Sequence, residues 1–214
     1  MQIRLDRTGY PLIRIRPIEA FAHLLPVTKV QFERYLSDCQ AVPNAAFYME
    51  VLNVNARISP KHTTRDNYWG LLATGITPKE AMLCASWMGT GYDLPTSDEW
   101  KAMYRHFGDI DLAKLNTALL QESKLNDLAR LTWTSIINVL NPRSSQQAAL
   151  LKDGVLEWVR TNSREQPWGG LGKPNQRLHS MIIDLDSNPR VVAPMSYAAR
   201  MAHFGFRLLL RTGE

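Results

Sequence analysis

The side chains in this sequence that could do chemistry include two cysteines and five histidines, and their spacing limits what they can do. Cys39 and Cys84 each fall in a helical pattern, so a disulfide needs a fold that brings them together. His23, His62, His106, His179 and His203 include no pair at metal-ligand spacing and read as surface or loop histidines. A Ser-His-Asp triad finds no G-x-S-x-G context. Gly169-Gly170-Leu171-Gly172-Lys173 lacks the strand–loop–helix setting of a phosphate-binding loop and reads as a flexible turn. What remains is a surface. Between Trp158 and Phe204 lie Trp168, Asn175, Arg177, His179, Tyr197, Arg200 and His203. Tyr, Trp and Arg are the side chains that carry binding faces. Arg177, His179, Tyr197, Arg200 and His203 are therefore the binding candidates. Against this stands a plainer reading, with both tryptophans in the core and Arg177 and Arg200 in internal ion pairs. For Trp158 the plainer reading is preferred.

The elements that must position these residues are marked by helix starts. Thr77-Pro78-Lys79-Glu80 and Thr96-Ser97-Asp98-Glu99 both have the Thr-x-x-Glu spacing of a capping box, and Thr28-x-x-Gln31 is a third. Gly89 and Gly108 read as left-handed helix stops. Gly91 to Pro95 reads as an extended crossing between the two central helices. Upstream, Leu12 to Arg16 alternates as a strand, Phe21 to Leu25 is a second, and a helix runs from Thr28 to about Cys39. Residues 40–75 read as loop with a short helix near Ala45–Met49. From 109 to 150, Leu112, Leu115, Leu119, Leu128, Leu131, Ile136, Val139 and Leu140 have helical spacing, read as one or two helices packing on the core. After Gly154 the expectation is a strand at Val155–Arg160, a loop from Gln166 to Gln176, a strand near Ser180–Leu185 and a closing strand Phe204–Arg211.

Composition bounds the rest. At 214 residues with 45% hydrophobic content and six tryptophans, the chain suits one globular domain over residues 1–214. The net charge of +5 is mild, and no like-charge run marks a nucleic-acid tail, so nucleic acid is disfavoured as a partner. No apolar segment approaches the length of a membrane span. The N-terminal residues show no signal-peptide pattern, which gives the expectation of free thiols in a cytoplasmic protein.

Ile76-Thr77, Glu80-Ala81, Cys84, Trp87, Gly89, then Leu94-Pro95-Thr96 and Glu99-Trp100 resemble the order V-S/T-x-x-E-A-x-x-x-C-x-W-x-G … R-L-P-T-E-x-E-W of the sulfatase-modifying-factor family, also called the formylglycine-generating-enzyme family. Pro26-Val27-Thr28 with Phe32 resembles its early helix, Val155-Leu156-Glu157-Trp158 its N-V-W-E-W block, and Phe204-Gly205-Phe206-Arg207 its terminal x-G-F-R. The resemblance implies an α+β, irregular C-type-lectin-like fold, with 109–150 as a helical insert and the C-terminal part presenting the ligand-facing surface. It also implies where chemistry would sit. The oxidase members bind copper(I) through a C-terminal cysteine pair, and soft thiolates suit that ion. The matching stretch here, Asn188 to Arg200, contains no cysteine. Where the family binds calcium the Gly-Asn pair is replaced by Asp153-Gly154, leaving Asp153, Asp184 and Asp186 as oxygen donors to weigh against ordinary surface acids. The expectation is a non-catalytic binding module with no cofactor and no metal, taking a protein partner or small ligand. The alternative is a divergent oxidoreductase of the same family.

Overall fold

The computed structural model describes residues 1–39, 57–152, 154–161, 168–172 and 204–212. The chain is a mixed α and β protein. Strands β1 (Ile3–Leu5), β2 (Pro11–Ile15) and β3 (Ala20–His23) form an antiparallel meander. β4 (Tyr92–Asp93) and β8 (Leu209–Arg211) complete a five-stranded sheet of order β1-β2-β3-β8-β4. The second sheet, β6-β5-β7, joins β5 (Leu156–Arg160) to β6 (Trp168–Leu171) antiparallel and to β7 (Phe204–Gly205) parallel.

Helix α1 spans Lys29–Asp38, α2 Pro78–Met88 and α3 Ser97–Gly108. Each begins at a reciprocal capping box, at Thr28, Thr77 and Thr96. The Thr hydroxyl accepts from the N3 backbone N–H while the Glu or Gln side chain accepts from the cap's own N–H, so two orphan donors are satisfied at once. Thr77→Ala and Thr96→Ala should each lower stability by about 1 kcal/mol, read as a shift in denaturant midpoint with unchanged slope.

The insert forms three helices, where one or two were expected: α4 (Leu112–Gln121), α5 (Asp127–Leu140) and a short α6 (Ser145–Ala148). Leu115, Leu119 and Ile136 are fully buried, whereas Leu128 and Leu131 face outward at about 40% exposure. Not every leucine of the periodic set therefore packs on the core.

Two apolar clusters lie on either side of the second sheet. One joins Ile13, Ile15, Trp100, Phe107, Leu119, Trp133 and Val159; the other joins Val27, Phe32, Cys84, Leu94, Trp158, Phe204 and Phe206. Neighbours on β5 divide between them, Trp158 to one and Val159 to the other, as the period of two requires. No helix among the described residues is long and apolar enough to cross a membrane.

Three expectations need correction. Gly108 is not a left-handed stop: α3 runs through it and is capped by Asp109 in a right-handed conformation. The glycine instead makes room for Gln146, whose amide Nε2 would lie 2.6 Å from an added Cβ. Gly169-Gly170-Leu171 is part of strand β6. The closing strand is two strands in different sheets, with Phe206 to Leu208 crossing between them. The short helix near 45–49, the strand near 180–185 and the three acids Asp153, Asp184 and Asp186 lie outside the described residues.

Candidate functional site

The frame that carries the C-terminal segment is built around one buried charge pair. On β5 and on the chain after β7, alternation turns Glu157 and Arg207 to the same side, and both are fully buried. Arg207 Nε donates to Glu157 Oε2 at 3.0 Å and Nη2 to Oε1 at 2.8 Å. The remaining guanidinium hydrogens go to the backbone oxygens of His23, Leu24 and Ala149. Trp100 Nε1 donates to Glu157 Oε2 at 3.0 Å. A planar fork with five donors can satisfy this many acceptors at once, which a lysine could not. One side chain thereby ties β3, the turn after α6 and β5 together.

The same strand anchors both ends of the segment with the binding candidates. Leu171, at the end of β6, pairs with Glu157; so does Gly205, in β7, from the other side. Residues 173–203 thus leave and return on opposite flanks of β5, with their anchors two strand spacings, about 10 Å, apart. The anchor is tightly packed. A Cβ at Gly170 would lie 2.2 Å from the Phe204 ring, and that ring packs against Trp158, tilted by 43° with the centroids 4.5 Å apart. Arg177, His179, Tyr197, Arg200 and His203 themselves lie outside the described residues, as do Asn175 and the Trp168 side chain. Trp158 is core, and its indole N–H donates to the Ile76 carbonyl oxygen.

A second polar network was not legible as such. Asp6 is buried in the β1–β2 turn, where Oδ1 accepts from the Thr8 N–H, the Thr8 hydroxyl and the Tyr10 N–H. Its Oδ2 accepts from Gln31 Nε2 at 2.8 Å and lies 3.0 Å from His23 Nε2. Burial alone would raise the Asp6 carboxyl, but His23, Thr8 and the Tyr10 backbone together hold it below the ordinary range. His23 is thus not a surface histidine; its side chain is 3% exposed. The local word Asp-x-Thr-Gly-Tyr signals the turn, but its meeting with β3 and α1 could not be read from it. A carboxylate beside an imidazole has the makings of acid–base chemistry. Here the adjoining cavity of about 10 Å³, lined by Tyr10, His23, Gln31 and Trp133, has room for at most one water. The pair therefore supports the fold.

His62 is exposed and His106 half-buried. Cys39 and Cys84 are both free thiols, and burial pushes the Cys84 thiol far up, which makes it inert. Among the described residues no three His, Cys, Asp or Glu side chains are grouped to hold a metal. At the surface, Arg211 pairs with Glu99 and lies 3.8 Å from Asp93, which also binds Arg160. These pairs join β8, β4 and β5 to the cap of α3. Desolvation acts to raise Glu99, yet Arg211 and Thr96 bring it below its usual value.

No family model, no curated protein and no solved structure matches the chain.

Proposed function

We propose that the chain is a non-catalytic binding module of the cytoplasm, built on an irregular C-type-lectin-like scaffold of the formylglycine-generating-enzyme kind. It recognises a protein partner or small ligand through residues of the 173–203 segment. The observation that supports this most is the anchoring of that segment on both flanks of Glu157 by a frame whose polar groups are already used. Trp100, Glu157 and Arg207 come from three separate blocks of the family resemblance, and they meet in one hydrogen-bonded cluster. Residues held between rigid anchors are where binding side chains concentrate. In this reading Arg177, Tyr197 and Arg200 carry the contacts, with His179 and His203 beside them.

The test is capture of partners by the tagged full chain, followed by affinity measurement with Tyr197→Ala and Arg200→Ala. Each should weaken a captured partner by about 2 kcal/mol with the melting temperature nearly unchanged. Unfolding of both variants, or undiminished binding by both, would overturn the assignment. Stoichiometric copper or iron lost on mutation of specific side chains would favour the divergent oxidoreductase instead.

A further inference from the structure

A pocket of about 250 Å³ opens between the segment around the 3-10 helix Tyr68–Leu71 and the end of the helical insert. Its walls come from two stretches far apart in sequence, 65–69 and 140–152. Tyr68 and Trp69 stack on one another at 4.5 Å with an interplanar angle of 29°. Leu140 and Pro142 supply an apolar wall where α5 stops, and Gln147 and Lys152 close the far side. Arg65 lies at the mouth and is exposed, as is Lys152.

The walls are held in place by the backbone. Asn141 caps α5 in the left-handed conformation, so that Pro142 leaves the helix at a fixed angle. Ser144 caps α6 through the Gln147 N–H, and the Arg143 N–H donates to Gln147 Oε1 at 2.7 Å. With that oxygen occupied, Gln147 offers its NH₂ as a donor. The described lining holds two cations and no carboxylate. Neither Arg65 nor Lys152 forms an ion pair with a described residue. An aromatic and aliphatic wall beside unpaired cations is complementary to a ring bearing negative charge. The volume, small among ligand pockets, limits the flat part of the ligand to one ring or two fused rings.

We propose that this pocket binds a small planar anion: a flat ring against Trp69, Leu140 and Pro142, with its carboxylate or phosphate answered by Arg65 and Lys152. The described lining includes no residue of the 173–203 segment. An aromatic carboxylate and a nucleoside monophosphate share this chemistry, and the experiment separates them.

The purified full chain is titrated with AMP, indole-3-carboxylate, adenosine and inorganic phosphate. Binding is followed by calorimetry and by the Trp69 indole N–H resonance, assigned through Trp69→Phe. At least one of the two ring anions should saturate the Trp69 signal with a Kd below about 1 mM. Saturation by AMP alone names a phosphate ligand, and by the indole acid alone a carboxylate. Adenosine and phosphate should bind about tenfold more weakly than the ring anion, because each keeps only half the complementarity. The double variant Arg65→Ala with Lys152→Ala should weaken the ring anion about tenfold or more without moving the melting temperature, since both side chains are exposed. Failure of both ring anions to saturate, adenosine binding as tightly as a ring anion that saturates, or unchanged binding of that anion in the double variant would each overturn the proposal.

Discussion

Arg207→Met is expected to cost about 3–5 kcal/mol, the usual result of removing one partner from a buried ion pair. Glu157 would lose its ion-pair partner with no exposure to water, and among the described residues only the Trp100 indole N–H would still answer it. The backbone oxygens of His23, Leu24 and Ala149 would lose their donor as well. These added losses separate this pair from a simple salt bridge. Buried pairs replaced together by apolar residues often regain stability. Here the double variant Glu157→Leu with Arg207→Met should recover only part of the loss, because three carbonyl oxygens and an indole N–H still go unsatisfied. Urea unfolding of the two variants against wild type measures both terms. A loss under about 1 kcal/mol in the single variant would mean that the pair is not buried as described.

Asp6→Ala should be comparably damaging, at about 3 kcal/mol or more, since buried donors from Thr8, Tyr10 and Gln31 would all lose their acceptor. Asp6→Asn keeps the shape and isolates the charge. The folded carboxyl titrates below its unfolded value near 3.8, so its contribution is complete above that pH and is lost as pH falls through the lower folded value. Glu99 follows the same sign. Wild-type stability should therefore fall steeply below about pH 4, and Asp6→Asn should flatten part of that slope while being less stable at pH 7. A wild-type and Asn profile that run parallel would show that Asp6 does not titrate in the native network.

What could be read from the sequence was what four or five neighbouring residues decide among themselves. The boxes at Thr28, Thr77 and Thr96 each close within one turn, so their residues alone specify them. The strand at Pro11–Ile15 was legible from Ile13, Arg14 and Ile15, but its expected wet face was not found, since Leu12 is buried as fully as Ile13 and Ile15. The errors fell where a distant residue decides. Gly169-Gly170-Leu171 looks like a turn until β5 pairs with it, and Gly170 is needed because Phe204 lies over it. Gly108 answers to Gln146 on another helix. His23 gained its role from Asp6 and Gln31, brought in by a turn and a helix. The pocket at Trp69 draws on two segments, 65–69 and 140–152, neither of which is unusual alone. The proposed binding residues were chosen by type and by resemblance and lie outside the described residues.

The pairing of β3 with β8 has a consequence for biosynthesis. Ala20 to Ala22 take their partners from Leu209 to Arg211, nearly the whole chain away. During translation the first three strands leave the ribosome without the strand that separates them from β4. Arg207, which ties down the carbonyl oxygens of β3, emerges equally late. The first sheet cannot close until synthesis has passed residue 211, so a nascent chain halted anywhere earlier exposes an open strand edge to chaperones and to its neighbours on the polysome. Folding of this molecule is then slowed by the long loop that the pairing of β3 with β8 must close.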